Sequence, residues 1–506
     1  MSESLLLLQN KYRRDKNYRS GKCIFNATIP KNKYKEKVTT YETTRWRERR
    51  LSMKLIKNGT IITDGKRFQA DIVVENGKIT QIGQNLTDVD EVIDATGCYV
   101  FAGFIDPHTH FELDTGATVS PDDFYYGTKA AVLGGTTTVI DFATAFRGET
   151  LKEGLKNWHE MADGKSSCNY AFHMAFTEWN DSLKEEIKEM AEAGVTSFKV
   201  YMAYDALRTR NQEILEILEE AGKVHGLVGC HCEDDAMIKE GVKKQLELGN
   251  RTPAAHPLSK PAIAEGKAVK DYLELAKEAN VPVCVVHLST KVGLEEIRKA
   301  RANGQKVFVE TCPQYLMFTD EVYSLPNYEG AKYVISPPLR KKEDVDALWE
   351  AIQNGEIDTI ATDQCSFNFE GQKTLGKEDF TKIPGGMPGV ENRIELMYTY
   401  GVKTGRMSLE QLSKLCTENV AKQYGMYPKK GAILVGSDAD LVVWDPNVSY
   451  TIHQENQHYH TDYTPYEGVE ISGKAKHVLV NGEHVVKNGE IVQEKQGRYV
   501  ERGNCF

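Results

Sequence analysis

Residues able to bind metals or activate water recur at similar places along this chain. One apolar run ends in Asp106-Pro107-His108-Thr109-His110, another contains Phe198-Lys199-Val200, and three more end in His231, His287 and Asp363. In an extended strand side chains repeat with period two, so His108 and His110 point to the same side. An H-x-H pair after a strand suits a divalent cation, whereas a lone histidine at a strand end is more often a hydrogen-bonded core residue. Four imidazoles, one carboxylate and one lysine converging on one rim would be costly to bury without an ion to pair them. Lysine is the odd member, because an ammonium group cannot ligate a cation. Either Lys199 is an ion-pair partner of Asp363, or its desolvated amine has captured carbon dioxide to become a carbamate that can bridge two metals.

Positioning these residues requires strands that end together. The chain alternates short apolar runs with Glu/Lys/Ala-rich helical segments, the pattern of parallel βα units. The predicted strands are Cys98–Ile105, Thr137–Phe142, Asn169–Phe176, Ser197–Met202, Leu227–Cys232, Pro282–Leu288, Lys306–Thr311 and Thr359–Thr362. Eight such units close a (β/α)8 (TIM) barrel, an α/β fold whose chemistry sits at the carboxyl ends of its strands. On either side the style changes to short hairpin-like strands with Asn-Gly turns, from Lys54 to Ile79 and again from Ala439 to Gly482. Neither flank can make a core alone, so the two are expected to combine into a small composite β-sandwich. The expected organisation is a basic extension (1–52), the first part of the sandwich (53–97), the barrel (98–430), the second part of the sandwich (431–490) and a tail (491–506).

The segments Gly103-Phe104-Ile105-Asp106-Pro107-His108-Thr109-His110, Gly134-Gly135-Thr136-Thr137-Thr138, Ser197-Phe198-Lys199-Val200-Tyr201-Met202-Ala203-Tyr204, His287-Leu288-Ser289, Glu310-Thr311-Cys312-Pro313-Gln314-Tyr315-Leu316 and Ser336-Pro337-Pro338-Leu339-Arg340 together resemble the dihydropyrimidinase/hydantoinase family of cyclic amidohydrolases. The likeness runs in order from Met53 to about residue 490. It implies hydrolysis of the ring amide of dihydropyrimidines, giving N-carbamoyl-β-amino acids, or of hydantoins, giving N-carbamoyl amino acids. It further implies two divalent metal ions, usually zinc. His108, His110 and Asp363 would hold one ion, His231 and His287 the other, and N6-carboxylated Lys199 would bridge them. Two such ions can share and acidify a water, which spares the protein a strong base. By the same resemblance Asp363 shuttles the proton to the leaving ring nitrogen and Tyr204 stabilises the tetrahedral oxyanion. The ring imide would be held by Ser336 and Gly385, while Leu113, Thr115 and Tyr201 would border the pocket for the exocyclic substituent.

Several positions depart from the family pattern and bear on substrate. Relatives often carry Asn where this chain has Gly385, His where it has Gln364, Phe where it has Tyr201, and Pro-Phe where it has Asp114-Thr115. A pocket that loses an aromatic and gains a carboxylate is more polar or more open, which disfavours bulky aryl hydantoins. A dihydroorotase would need a cation for its substrate's carboxylate, typically two residues after the second histidine, where Glu112 stands. Allantoinase shares the site residues and stays open as an alternative. A metal-free scaffold relative of the same barrel is disfavoured because all six ligand positions are filled.

Composition is close to that of an average soluble chain. The net charge is −10, so nothing suggests a chain that wraps nucleic acid. Residues 1–52 nevertheless hold 14 Lys and Arg against 5 Asp and Glu, leaving −19 on the rest. This head could be a transit peptide, a basic arm or a mis-assigned start preceding Met53; N-terminal sequencing of native protein that found Met1 intact would exclude the last. Ten cysteines without a C-x-x-C pair read as reduced thiols, hence a cytoplasmic address. No apolar run reaches the length of a signal-peptide core or a membrane span. The family often forms tetramers, so a homo-oligomer is expected.

Overall fold

The computed structural model describes residues 53–506; the basic head read from the sequence lies outside the described residues. Strand β1 (Lys54–Thr63) pairs antiparallel with β2 (Lys66–Glu75), which pairs with β3 (Lys78–Gly83), while β4 (Glu91–Asp94) and β5 (Tyr99–Ala102) both run parallel to β1. The barrel follows: β6 (Phe104–Thr109), β7 (Thr136–Ala145), β8 (Asn169–Phe176), β9 (Ser197–Tyr201), β10 (Leu227–His231), β11 (Val283–Val285), β12 (Val307–Thr311) and β13 (Thr359–Ile360). These eight lie side by side in chain order, all parallel, with helices in the connections. Finally β14 (Leu441–Thr451), β15 (Glu470–Val480), β16 (Glu483–Lys487) and β17 (Glu490–Ile491) complete the flanking sheet.

Burial explains why the two sheets read differently in sequence. Every residue of β7 and β8 is buried, as expected for strands covered by helices on one face and by the barrel interior on the other. In β15 buried and partly exposed residues alternate, the mark of a sheet with one wet face. The flanking module is a nine-stranded mixed sheet drawn from both ends of the chain. Its halves join where β14 pairs antiparallel with β5, Leu441 opposite Ala102 and Val443 opposite Val100. Ile56, Ile61, Ile72, Val74, Leu441, Val443 and Leu479 form its core.

One expected element divides. The run Cys98–Ile105 reads as a single barrel strand, but β5 belongs to the flanking sheet and β6 to the barrel, with Gly103 between them. A Cβ on Gly103 would sit 1.9 Å from Thr137 Oγ1, so only glycine lets the chain pass β7 as it changes sheets. At this seam the Lys430 ammonium lies 2.5 Å from Asp440 and 3.0 Å from Asp438, and Lys78 closes on Asp438 at 2.5 Å. Asn169, the first residue of β8, donates to Asp440 at 3.1 Å, which ties barrel to sheet.

The barrel closes thinly. β13 is two residues long, and its contact with β6 comes just beyond it, through a bridge between Thr109 and Gln364 and a bond from the His110 N–H to the Gln364 carbonyl (2.7 Å). The Asp106 carboxylate adds to the joint, accepting from the Thr362 N–H (3.1 Å) and hydroxyl (2.6 Å). At the opposite end of the strands, residues 498–506 pack against the starts of β8 and β9, where buried Arg502 donates to Ser197 Oγ (2.7 Å) and to the Phe172 carbonyl.

Candidate metal centre at the carboxyl ends of the barrel strands

The sequence-predicted residues meet at one end of the barrel. Nε2 of His108 and of His110 lie 3.2 and 3.3 Å from the same oxygen, Asp363 Oδ1. Ligand atoms of these three residues fall within 4.8 Å of one another, the only such group among the described residues. The His108 ring centroid lies 5.4 Å from that of His287, which lies 4.8 Å from that of His231. Phe142 is the wedge between them and Lys199: its ring is 4.5 Å from His108, 4.8 Å from His110 and 4.9 Å from the Lys199 ammonium.

The donor chemistry fits divalent cations. Two imidazole nitrogens and a carboxylate oxygen are a familiar set for zinc and its neighbours. His108 Nε2 is buried and makes no hydrogen bond, its approach to Asp363 lacking the required direction, and His287 Nδ1 is likewise buried and unbonded. Buried polar atoms without partners are rare and point to a missing ligand. Two imidazoles are also braced from behind. His108 Nδ1 lies 2.6 Å from Glu310, and His231 Nε2 lies 2.9 Å from Glu233, the carboxylate–histidine arrangement that orients metal ligands.

Electrostatics divides the paired histidines. Burial alone would lower the His108 pKa, but the Glu310 and Asp363 carboxylates outweigh it and push it up to about 9. Burial dominates at His110 and brings it down to about 4. The Asp363 carboxyl stays well below its usual range because His108 and His110 offset its burial. Lys199 is 1 % exposed and, among the described residues, makes no hydrogen bond and no ion pair; the alternative pairing with Asp363 is not formed. Burial lowers its pKa, favouring the neutral amine that carbamate formation requires.

The backbone is strained where these groups are presented. Tyr204 (φ 72°), His287 (φ 40°) and Asp363 (φ 54°) all occupy the left-handed region. Such conformations cost roughly 1–3 kcal/mol each and gather at functional sites.

The expected substrate residues are placed unequally. The Tyr204 ring lies 5.2 Å and the Tyr201 ring 6.1 Å from His231, so both border the centre. Ser336 and Gly385 are neighbours: a Cβ on Gly385 would meet Ser336 Oγ at 3.4 Å. Leu113 and Thr115 lie on a loop in which Leu113 is half-buried and Thr115 is exposed and hydrogen-bonded to Thr118. Gln364 turns away from the centre, donating to Asp122 (2.8 Å) and accepting from the Gly389 and Val390 N–H groups, so it braces a loop. Sequence reasoning assigned no role to Glu233, Glu310 or Lys373. The first two were within reach, since His231 and Glu233 share the period-two pattern and Glu310 lies in a quoted motif. Lys373 is wholly buried and donates to the carbonyls of Val334 (2.8 Å), Pro384 (2.7 Å) and Gly386 (2.6 Å), binding the Ser336 and Gly385 loops together.

Comparison with known proteins agrees with this geometry. Residues 99–485 match the model of the amidohydrolase family. The chain is 46% identical over 453 residues to a D-hydantoinase of Geobacillus stearothermophilus, covering 89% of this chain and 96% of that one. It is 42% identical over 450 residues to a D-hydantoinase of Ralstonia pickettii, covering 88% and 98%. The crystal structure of a dihydropyrimidinase from Brevibacillus agri superposes with a TM-score of 0.88 at 42% identity, over 90% of this chain and 99% of that one. The chain therefore belongs to the D-hydantoinase/dihydropyrimidinase family of amidohydrolases.

Proposed function

We infer that this protein hydrolyses the cyclic amide bond of dihydropyrimidines and hydantoins, opening the ring to N-carbamoyl-β-amino acids and N-carbamoyl amino acids respectively. The observation that carries the reading is the convergence of His108, His110 and Asp363 on one point inside a chain of this family. His108, His110 and Asp363 would hold one divalent ion, His231 and His287 a second, and Lys199, carboxylated on Nζ, would join them; zinc suits this donor set. When bound, such ions supply an acidified water and polarise the ring carbonyl. Asp363, its pKa held low, accepts the proton of the attacking water and passes it to the ring nitrogen as the C–N bond breaks. Tyr204 donates to the oxygen that becomes negative in the tetrahedral state. Ser336 and the Gly385 carbonyl hold the imide edge, and Tyr201, Leu113 and Thr115 border the exocyclic substituent.

The protein is proposed to act in the cytoplasm, in keeping with the nine cysteines among the described residues, all buried and unpaired. It is further proposed to act as a homo-oligomer of tetrameric type, which accords with the exposed apolar side chains of Leu248, Leu258 and Ile263. No helix among the described residues is long and apolar enough to cross a membrane. Ring opening tested on dihydrouracil, hydantoin, allantoin and dihydroorotate, with metal content measured on the same preparation, decides the reading. Turnover of the first two is expected, and dihydroorotate is expected to be refused because Glu112 stands where its carboxylate needs a cation. A fully metallated protein inert towards all four would overturn the assignment.

A further inference from the structure

Lys260 has no role in the reading above, yet it joins two of its residues. It follows the short helix Ala255–Ser259 and is 6 % exposed. An ammonium group has three donors and no acceptor, and each N–H of Lys260 has an acceptor: Tyr204 Oη at 2.7 Å, Ser336 Oγ at 2.7 Å and Glu233 Oε2 at 3.3 Å. The backbone is fixed by Arg340, which donates to the Lys260 carbonyl at 2.5 Å. The network runs on to the metal centre, because Glu233 Oε2 also accepts from His231 Nε2 and, at 2.9 Å, from the Tyr204 hydroxyl.

A hydroxyl oxygen that accepts from an ammonium must direct its own proton elsewhere. For Tyr204 that proton now goes to Glu233, so donation to a developing oxyanion requires an exchange of acceptors. Glu233 can release it cheaply, since His231 and Lys260 still satisfy the same oxygen and no buried carboxylate is stranded. Throughout the exchange the ammonium remains behind the phenol oxygen and strengthens its O–H as a donor, charge-assisted bonds being about twice as strong as neutral ones.

We propose that Lys260 is a positioning residue for ring hydrolysis, holding the Tyr204 phenol as an acceptor so that it presents its proton to the substrate's carbonyl oxygen, with Ser336 and Glu233 anchoring the ammonium in place. This rests on the cyclic-amide reading above. The test compares wild type, Lys260→Met, Lys260→Arg, Tyr204→Phe and the Lys260→Met/Tyr204→Phe pair as full-length, metal-loaded protein, with dihydrouracil and hydantoin as substrates. Lys260→Met is expected to lower kcat by about 10–100-fold, below the loss typical of a direct oxyanion donor, with unchanged metal content. Lys260→Arg, which restores a donor cation, should recover most of that loss. In the Tyr204→Phe background Lys260→Met should cost no more than about threefold, because residues acting through one contact are not additive. Lys260→Gln serves in place of the Met variant if the latter is insoluble. A kcat within twofold of wild type, metal loss in step with activity, or fully multiplicative effects would each overturn the proposal. An inactive wild type would instead overturn the substrate reading beneath it.

Discussion

Lys199 at the rim of the barrel and Lys430 at the seam with the flanking sheet are both almost wholly buried, at 1 % and 4 % exposure, but their surroundings are opposite. Lys430 has two carboxylates within 3.0 Å; burial would lower its pKa, but Asp440 and Asp438 outweigh that and raise it. Lys199 has two aromatic rings about its ammonium and no anion in contact, and its pKa falls. A buried charge is tolerated when paired and hydrogen-bonded. The seam thus pairs its buried charges within itself, whereas the rim leaves Lys199 without a carboxylate partner. The same contrast recurs in the unbonded nitrogens of His108 and His287, which have no counterpart in the seam's lysine and carboxylates.

The two lysines should therefore fail in different ways. Lys199→Ala should abolish turnover, by well over the 10–100-fold typical of residues behind a ligand, with loss of bound metal and a urea midpoint no lower than that of the metal-stripped wild type; short carboxylic acids should restore part of the activity. Wild-type turnover in this variant would end the carbamate argument. Lys430→Met should do the reverse, costing about 3–5 kcal/mol in urea unfolding by stranding Asp438 and Asp440, while metal content and kcat stay near wild type. Between these extremes, Glu310→Gln and Glu233→Gln should weaken metal binding by about 10–100-fold, read by titration with a competing chelator.

The smallest effect concerns pH. The folded-state pKa of Asp438 is depressed, with burial opposing and Lys430 and Lys78 prevailing. Its contribution to stability is therefore present above the unfolded carboxylate value of about 3.9 and is lost as pH falls through the lower folded value. The difference in unfolding free energy between wild type and Asp438→Asn should be flat from pH 7 to about 5 and shrink steadily in more acidic solution. A difference that grew on acidification would show that the seam is not held by this charge.

The rim was more legible in the sequence than its surroundings. His108, His110, His231, His287 and Asp363 stand at the ends of apolar runs and Lys199 within one, and a barrel brings all such ends to one rim, so the convergence of the five end residues follows from strand count alone. The split at Gly103 was not readable, because Tyr99 to Ile105 is one apolar run and only the packing against Thr137 reveals the change of sheet. Spacing also says nothing about which acid backs which histidine: Glu310 reaches His108 across the barrel from β12. Lys260 and Lys373 lie in connections with no periodic signal, and their acceptors come from loops distant in the chain. Gln364, noted only as a departure from the family pattern, has its side chain in the supporting loops, which its place beside Asp363 does not reveal.

The joint between β6 and β13 has one more consequence. His108 and His110 come from the first barrel strand and its end, and Asp363 from the segment after the last, so the group that could hold an ion straddles the place where the barrel has the fewest main-chain bonds. An ion bound there would rivet the two ends of the cylinder together, and part of its binding energy would appear as mechanical closure of the fold. Removal of metal should then lower the melting temperature, and hydrogen exchange should quicken first in 104–110 and 359–364 rather than uniformly around the barrel.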